Sequence, residues 1–212
     1  MEDWDGTLGS LVLGLSTKNQ EYLKMRNDPA ATVLRAMKLL NLAYTGVHTE
    51  RLLRSVCAHV FTEKRLLEDE QAWQEAVGLL LQIQFVEEEM DEEDWETILA
   101  IRKDAYFEQV VTDYPEPDRP FQLMKHLLGL REVFKDLKDI SALFNLSTSF
   151  RDREQPKEEL ITVDEIIALD PRGWMLKGQV LDRLQRHEEA VTAFTRALDI
   201  DESDAFVWQR KG

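Results

Sequence analysis

Cysteine occurs once in these 212 residues, as Cys57 in the apolar run RSVCAHV. A single thiol closes no intrachain disulfide, so a packed core must hold the fold, and a reduced cytoplasmic setting is the default expectation. No apolar run of about eighteen residues is present, so no membrane-spanning helix is expected. The N-terminus MEDWDGTLGS is acidic, unlike a secretory signal. Lysine and arginine are missing altogether between Arg65 and Arg102. The shortage is general, since 26 basic residues against 41 acidic ones leave a formal charge of −15. Such a charge repels phosphate backbones and anionic lipid, so neither nucleic acid nor membrane is an expected partner.

Catalytic signatures are equally scarce. GSLVLGLSTK (9–18) has the G-x4-G of a phosphate loop but places Leu15 where lysine must follow. His48, His59, His126 and His187 are scattered without an i, i+4 ligand partner, so no zinc site is expected. Ser55 and His59 lie two residues from Cys57, and positions two apart on a helix face different ways, so they form no relay. Cys57 reads instead as a small buried hydrophobe. EEEMDEEDWE (87–96) carries eight carboxylates in ten residues but has neither the alternation nor the glycine of a calcium loop. A solvated hairpin tip, or a docking surface for a basic partner, suits it better. The chain is expected to be non-catalytic, with no cofactor and no metal of its own.

What the chain does have is 43% apolar content set at helical spacing. PAATVLRAMKLLNLAYTG (29–46) opens on Asp28–Pro29 and closes at Gly46. HTERLLRSVCAHVF (48–61) follows, with Thr49 as its cap and Leu52, Leu53, Val56, Cys57 and Val60 on one face. EQAWQEAVGLLLQIQ (70–84) directs Trp73, Ala76, Val77, Leu80 and Leu81 inward. The period then changes: FVEEEM and TILAIR read as two strands of a hairpin. Three helices and a hairpin make the order of a winged helix. The presumptive recognition helix, 70–84, holds no basic side chain, which argues against DNA binding. DAYFEQVV resumes as a helix, stopped by Pro115, Pro117 and Pro120. Beyond them, 121–146 and 157–169 read as further amphipathic helices.

WMLKG at 174–178 returns as WQRKG at 208–212, an interval of 34. A glycine inside a helix costs about 1 kcal/mol against alanine, so Gly178 makes sense only where a neighbouring helix presses on it. Small residues recur at Gly178, Ala190 and Ala197, with Trp174, Leu181 and Phe194 filling between them. This pattern resembles the tetratricopeptide repeat, W-x2-L-G-x2-Y…A-x3-F. It departs at Lys177 and Leu181, where that family favours Leu and Tyr, and at Glu202, where it favours Pro. The resemblance implies that the first helix of the pair lines a groove. By register, the partner-binding face is Arg172, Met175, Gln179, Asp182 and Arg183, a mixture suited to proteins or peptides. Repeats stack in arrays, so WQRKG is expected to begin a truncated next unit.

The first half carries a second resemblance. VLRAMKLLNLAYTGVHTERL, WQEAVGLLLQIQFVEEE and LAIRKDAYFEQVV are similar to the segment that follows the ATPase core in STAND-type signalling NTPases, the NACHT and NB-ARC proteins among them. In that superfamily a winged helix joins a nucleotide domain to a sensor of repeats, and a Met-His-Asp signature contacts ADP. Arg102, Lys103 and Asp104 stand at the signature here, so Lys103 and Asp104 become the candidate nucleotide-state sensor; the plainer reading is a solvated helix start. The resemblance implies ATP or ADP in an upstream domain, and an intramolecular contact with that domain.

The expected architecture is mainly α. Residues 1–28 are the tail of a preceding helical element and 29–115 a winged-helix-like domain with a small β-hairpin. Residues 121–170 form a helical connector or degenerate repeat, 171–204 a tetratricopeptide repeat, and 205–212 the start of another. The expected function is a regulatory segment coupling the repeat sensor to the nucleotide domain. The alternative is a stand-alone scaffold that binds peptides or protein partners.

Overall fold

The structure is a computed structural model that describes residues 17, 20–43, 48–90, 97–101, 114 and 120–200. The fold is mainly helical, with one two-stranded antiparallel sheet among the described residues. The chain divides into two units, residues 1–130 and 131–212.

In the first unit, α1 (Pro29–Leu42) starts where the sequence predicts, with Asp28 accepting from Ala30 N at 2.9 Å and Pro29 at the first helical position. Val33, Leu34, Ala36, Met37, Leu39 and Leu40 are all fully buried. A helix apolar on so many sides belongs in the middle of its unit. The closing Gly46 lies outside the described residues. Thr49 caps α2 (Glu50–His59) as expected, accepting from Leu52 N at 3.3 Å. Leu52, Leu53, Val56 and Cys57 face inward, while Val60 is half-buried. A single turn, α3 (Arg65–Glu68), is too short for periodicity to signal. α4 (Glu70–Gln82) is capped by Asp69 and buries Trp73, Ala76, Val77 and Leu80, whereas Leu81, expected inside, is half-exposed. Arg54 clamps α2 to α4: its guanidinium lies 4.8 Å from the Trp73 ring and reaches Glu50 at 2.7 Å and Glu70 at 2.5 Å.

β1 (Val86–Met90) and β2 (Thr97–Ile101) pair antiparallel, with Val86 opposite Ile101 and Met90 opposite Thr97. The predicted hairpin is therefore present. An isolated bridge joins Thr49 to Ile98, and Leu99 N donates to the His48 carbonyl at 3.0 Å. The chain entering α2 thus lies along β2. The acidic tip at 91–96 and the helix expected at DAYFEQVV lie outside the described residues. Further along, Tyr114 Oη and His126 Nδ1 are 3.0 Å apart in a buried pair, and Phe61 stands edge-on to Tyr114.

His48 is 5% exposed, with Nε2 3.0 Å from Asn41 Oδ1. Burial lowers its pKa from 6.5 to about 4, against a smaller opposing hydrogen bond to the Leu99 backbone. The unfolded chain therefore binds a proton that the folded chain refuses. Stability is full above pH 6.5 and falls as pH drops towards 4. The loss is expected to total about 3 kcal/mol by pH 4. Denaturant unfolding of the wild type and His48→Gln at pH 7 and pH 4 checks it, the variant losing less across that window.

The second unit opens within α5 (Pro120–Leu137), which spans the division. The sequence carries its apolar period from 121 to 146, but the backbone breaks it. Lys138 adopts φ 56° and Asp139 caps α6 (Ile140–Asp152), accepting from Ala142 N at 2.8 Å. α7 (Pro156–Leu169) returns alongside. Two ion pairs tie α7 to α5: Arg131–Glu158 at 2.8 Å and Lys135–Glu165 at 2.9 Å. A 3-10 turn at Pro171–Gly173 then leads into a second hairpin of α8 (Trp174–Arg183) and α9 (His187–Ile200).

The two hairpins match position by position at an offset of 31. Asp139 and Asp170 both cap (170 − 139 = 31). Glu154 and Gln185 both turn into the left-handed region, at φ 56° and 58° (185 − 154 = 31). The next amides close back on Phe150 and Leu181, each at 2.9 Å (181 − 150 = 31). Glu159, Thr162, Val163 and Ile166 are buried on α7, and Ala190, Ala193, Phe194 and Ala197 on α9, each pair again 31 apart.

Candidate functional site

The α8–α9 pair is built around one close approach. Gly178 is buried, and a Cβ placed on it would lie 2.5 Å from Phe194 Cδ1 and Cε1. No side chain fits there, which is why a helix interior carries glycine. Phe194, Leu181, Ala190, Ala193, Ala197 and Leu198 form the core, and Leu160, Trp174 and Met175 pack against it. Gly173 is similarly confined, with its would-be Cβ 2.9 Å from Ile167 Cγ1, seating the 3-10 turn on α7. The half-buried Trp174 lies against two cations, Arg196 at 4.4 Å and Lys177 at 5.2 Å from its ring centre.

Arg172, Met175, Gln179 and Asp182 fall at i, i+3, i+7 and i+10, one stripe of α8 and the turn before it, with Arg183 beside the last. Arg172 is exposed and chelated by Asp170, whose oxygens lie 3.0 and 2.7 Å from the guanidinium nitrogens. That guanidinium holds the Asp170 carboxyl below the usual carboxylate range. Met175 is half-buried against the core, and Gln179 is half-buried. Asp182 Oδ1 is 3.1 Å from His187 Nδ1, at the start of α9. Arg183 pairs with the buried Glu159 of α7. Lys103 and Asp104 lie outside the described residues.

The stripe thus presents charge whose orientation is set by neighbouring carboxylates. Sequence reasoning passed over those carboxylates, Glu159 above all. Asp164, 2.6 Å from Lys177 Nζ, is another. The only sign of Glu159 is a carboxylate on the apolar stripe of 157–169, and a lone sequence reads that as a flaw in the pattern.

Residues 171–204 match the tetratricopeptide repeat family. No curated protein matches the chain. Tetratricopeptide repeats are protein-interaction elements and typically non-catalytic. Cys57 is fully buried, as its apolar setting in the sequence implies, and burial, with Glu63 nearby, pushes its thiol pKa up, so little reactive thiolate forms. Among the described residues no helix is long and apolar enough to cross a membrane.

Proposed function

We propose that this chain is a non-catalytic interaction segment whose tetratricopeptide repeat receives a protein or peptide partner on the Arg172, Met175, Gln179, Asp182 and Arg183 stripe. The observation that supports this reading is the Gly178–Phe194 approach, which fixes α8 against α9 as the helix pair of such a repeat.

The proposed role is regulatory. The first unit acts as a winged-helix-like module that links the repeat to a nucleotide-binding domain of a STAND-type NTPase, which would carry the ATP or ADP. The path from α1 through the His48–Thr49 segment on β2, then α2, α4 and the hairpin, supports this. Lys103 and Asp104 are its proposed nucleotide-state sensor. The test is the natural transcript: a G-x4-G-K-[ST] loop encoded upstream in the same reading frame is the expected result. A reading frame without one would favour the alternative, a stand-alone scaffold that binds peptides through its repeat.

A further inference from the structure

We propose that a cleft in the first unit, between the helix at residues 20–25 and the last turn of α4, binds a small zwitterion with an apolar side chain: a free amino acid or a short peptide. The site lies within the first unit and is independent of partner binding at residues 171–204. The cleft encloses about 600 Å³, a volume typical of small-molecule sites.

Its walls follow from helical spacing. Glu21, Lys24 and Met25 fall at i, i+3 and i+4, so all three face one way, and the turn after them adds Asn27 and Asp28 to the same wall. Leu79 and Ile83, one turn apart, complete the lining from α4. Met25 is buried, whereas Leu79 and Ile83 are only half-buried. An apolar ligand group covering that pair removes further apolar surface from water.

The charges set the ligand class. Glu21 and Asp28 bring two carboxylates against the one ammonium of Lys24, a local charge of −1. A simple carboxylic acid is therefore disfavoured here, and a simple amine meets Lys24 as a like charge. A molecule that carries both groups satisfies both signs, its carboxylate on Lys24 and its ammonium on Glu21. Lys24 makes no ion pair and Asn27 no side-chain hydrogen bond among the described residues, so both can donate to a ligand carboxylate. Asp28 adds to the negative field from a fixed position, because its Oδ1 accepts from Ala30 N at 2.9 Å.

The test titrates the full chain with leucyl-leucine in about 0.15 M salt, which screens the overall charge, and follows backbone amide resonances. Saturable shifts at Lys24, Met25, Leu79 and Ile83 are expected. Leucyl-leucine amide lacks the carboxylate, N-acetyl-leucyl-leucine lacks the ammonium and seryl-serine lacks the apolar side chains. Each should bind at least about fivefold more weakly. Lys24→Gln should weaken leucyl-leucine by about fivefold and leave its amide unaffected, while Glu21→Gln should weaken it as much and leave the N-acetyl form unaffected. Unchanged far-ultraviolet circular dichroism verifies that both variants keep the fold. Free leucine binding as tightly as the dipeptide would support the site with an amino acid as occupant. No saturable shift at the cleft up to millimolar peptide, or equal binding of the free and capped peptides, would overturn the proposal.

Discussion

Gly178→Ala is expected to lower the stability of the second unit by about 2–3 kcal/mol, while Gly78→Ala raises that of the first by up to about 1 kcal/mol. The chemistry is the same and the sign opposite. Both glycines lie inside helices, where alanine is intrinsically better by about 1 kcal/mol. At Gly78, exposed on α4, an added Cβ meets nothing within 4 Å, so the preference is realised. At Gly178 the Cβ would meet three atoms of the Phe194 ring within 2.8 Å, and that ring is itself buried on every side. The ring has nowhere to go except by parting α8 from α9. Denaturant unfolding followed by circular dichroism checks both signs. Phe194→Leu removes the obstructing atoms, so the double variant Gly178→Ala/Phe194→Leu should lose less than the sum of its singles by at least about 1 kcal/mol. Equal, small effects at the two glycines would mean that α8 does not press on α9.

That close approach was legible because glycine in a helix is a local anomaly, and only contact with another helix explains it. The helices α1, α2 and α4 were legible for a related reason. α1 and α2 pair a cap read from the sequence, Asp28 and Thr49, with a long apolar stripe, whereas α4 was read from its stripe alone and its cap, Asp69, came with the structure. The hairpin showed as a change of period. The break between α5 and α6 was hidden, because Lys138 carries no mark of the left-handed conformation it adopts. Glycine would have announced that turn, and so would it have at Glu154 and Gln185. The 31-residue correspondence was hidden for a deeper reason. The first hairpin has Ser147 where the second has Gly178, Glu159 where it has Ala190 and Val163 where it has Phe194, so the residues that mark 171–204 in the sequence have no like counterparts. What persists is the cap, the turn and the order of buried positions, which only coordinates align. Of the proposed binding stripe the sequence supplied the register, whereas the partners of Asp182 and Arg183 lie on α9 and α7, at His187 and Glu159, and no spacing along α8 encodes them.

Arg183→Met is expected to cost about 3 kcal/mol, more than Glu159→Ala, although Arg183 is the more exposed partner. Glu159 is 4% exposed and its carboxylate is held by Arg183, whose side chain is 43% exposed. Removing the guanidinium leaves a charge inside the unit with its partner gone, and burying an unpaired charge is the larger penalty. Removing the carboxylate instead leaves Arg183 free to turn to water. Alanine at 159 also has a precedent in this chain, since Ala190 is buried at the corresponding place 31 residues later. Glu159→Ala is therefore expected to cost about 1 kcal/mol or less, and the double variant to match it, recovering most of what Arg183→Met loses. A double-mutant cycle by denaturant unfolding reads the coupling directly, and strict additivity would show that the two groups do not depend on each other. The result decides how Arg183 must be tested as a binding residue. If Glu159 supports it, loss of partner binding in Arg183→Met mixes a missing contact with a loosened helix pair. Glu159→Ala keeps the guanidinium but frees its direction. Weakened binding in that variant, at unchanged fold, isolates the positioning role: the carboxylate never touches the partner and acts only by aiming the arginine that does.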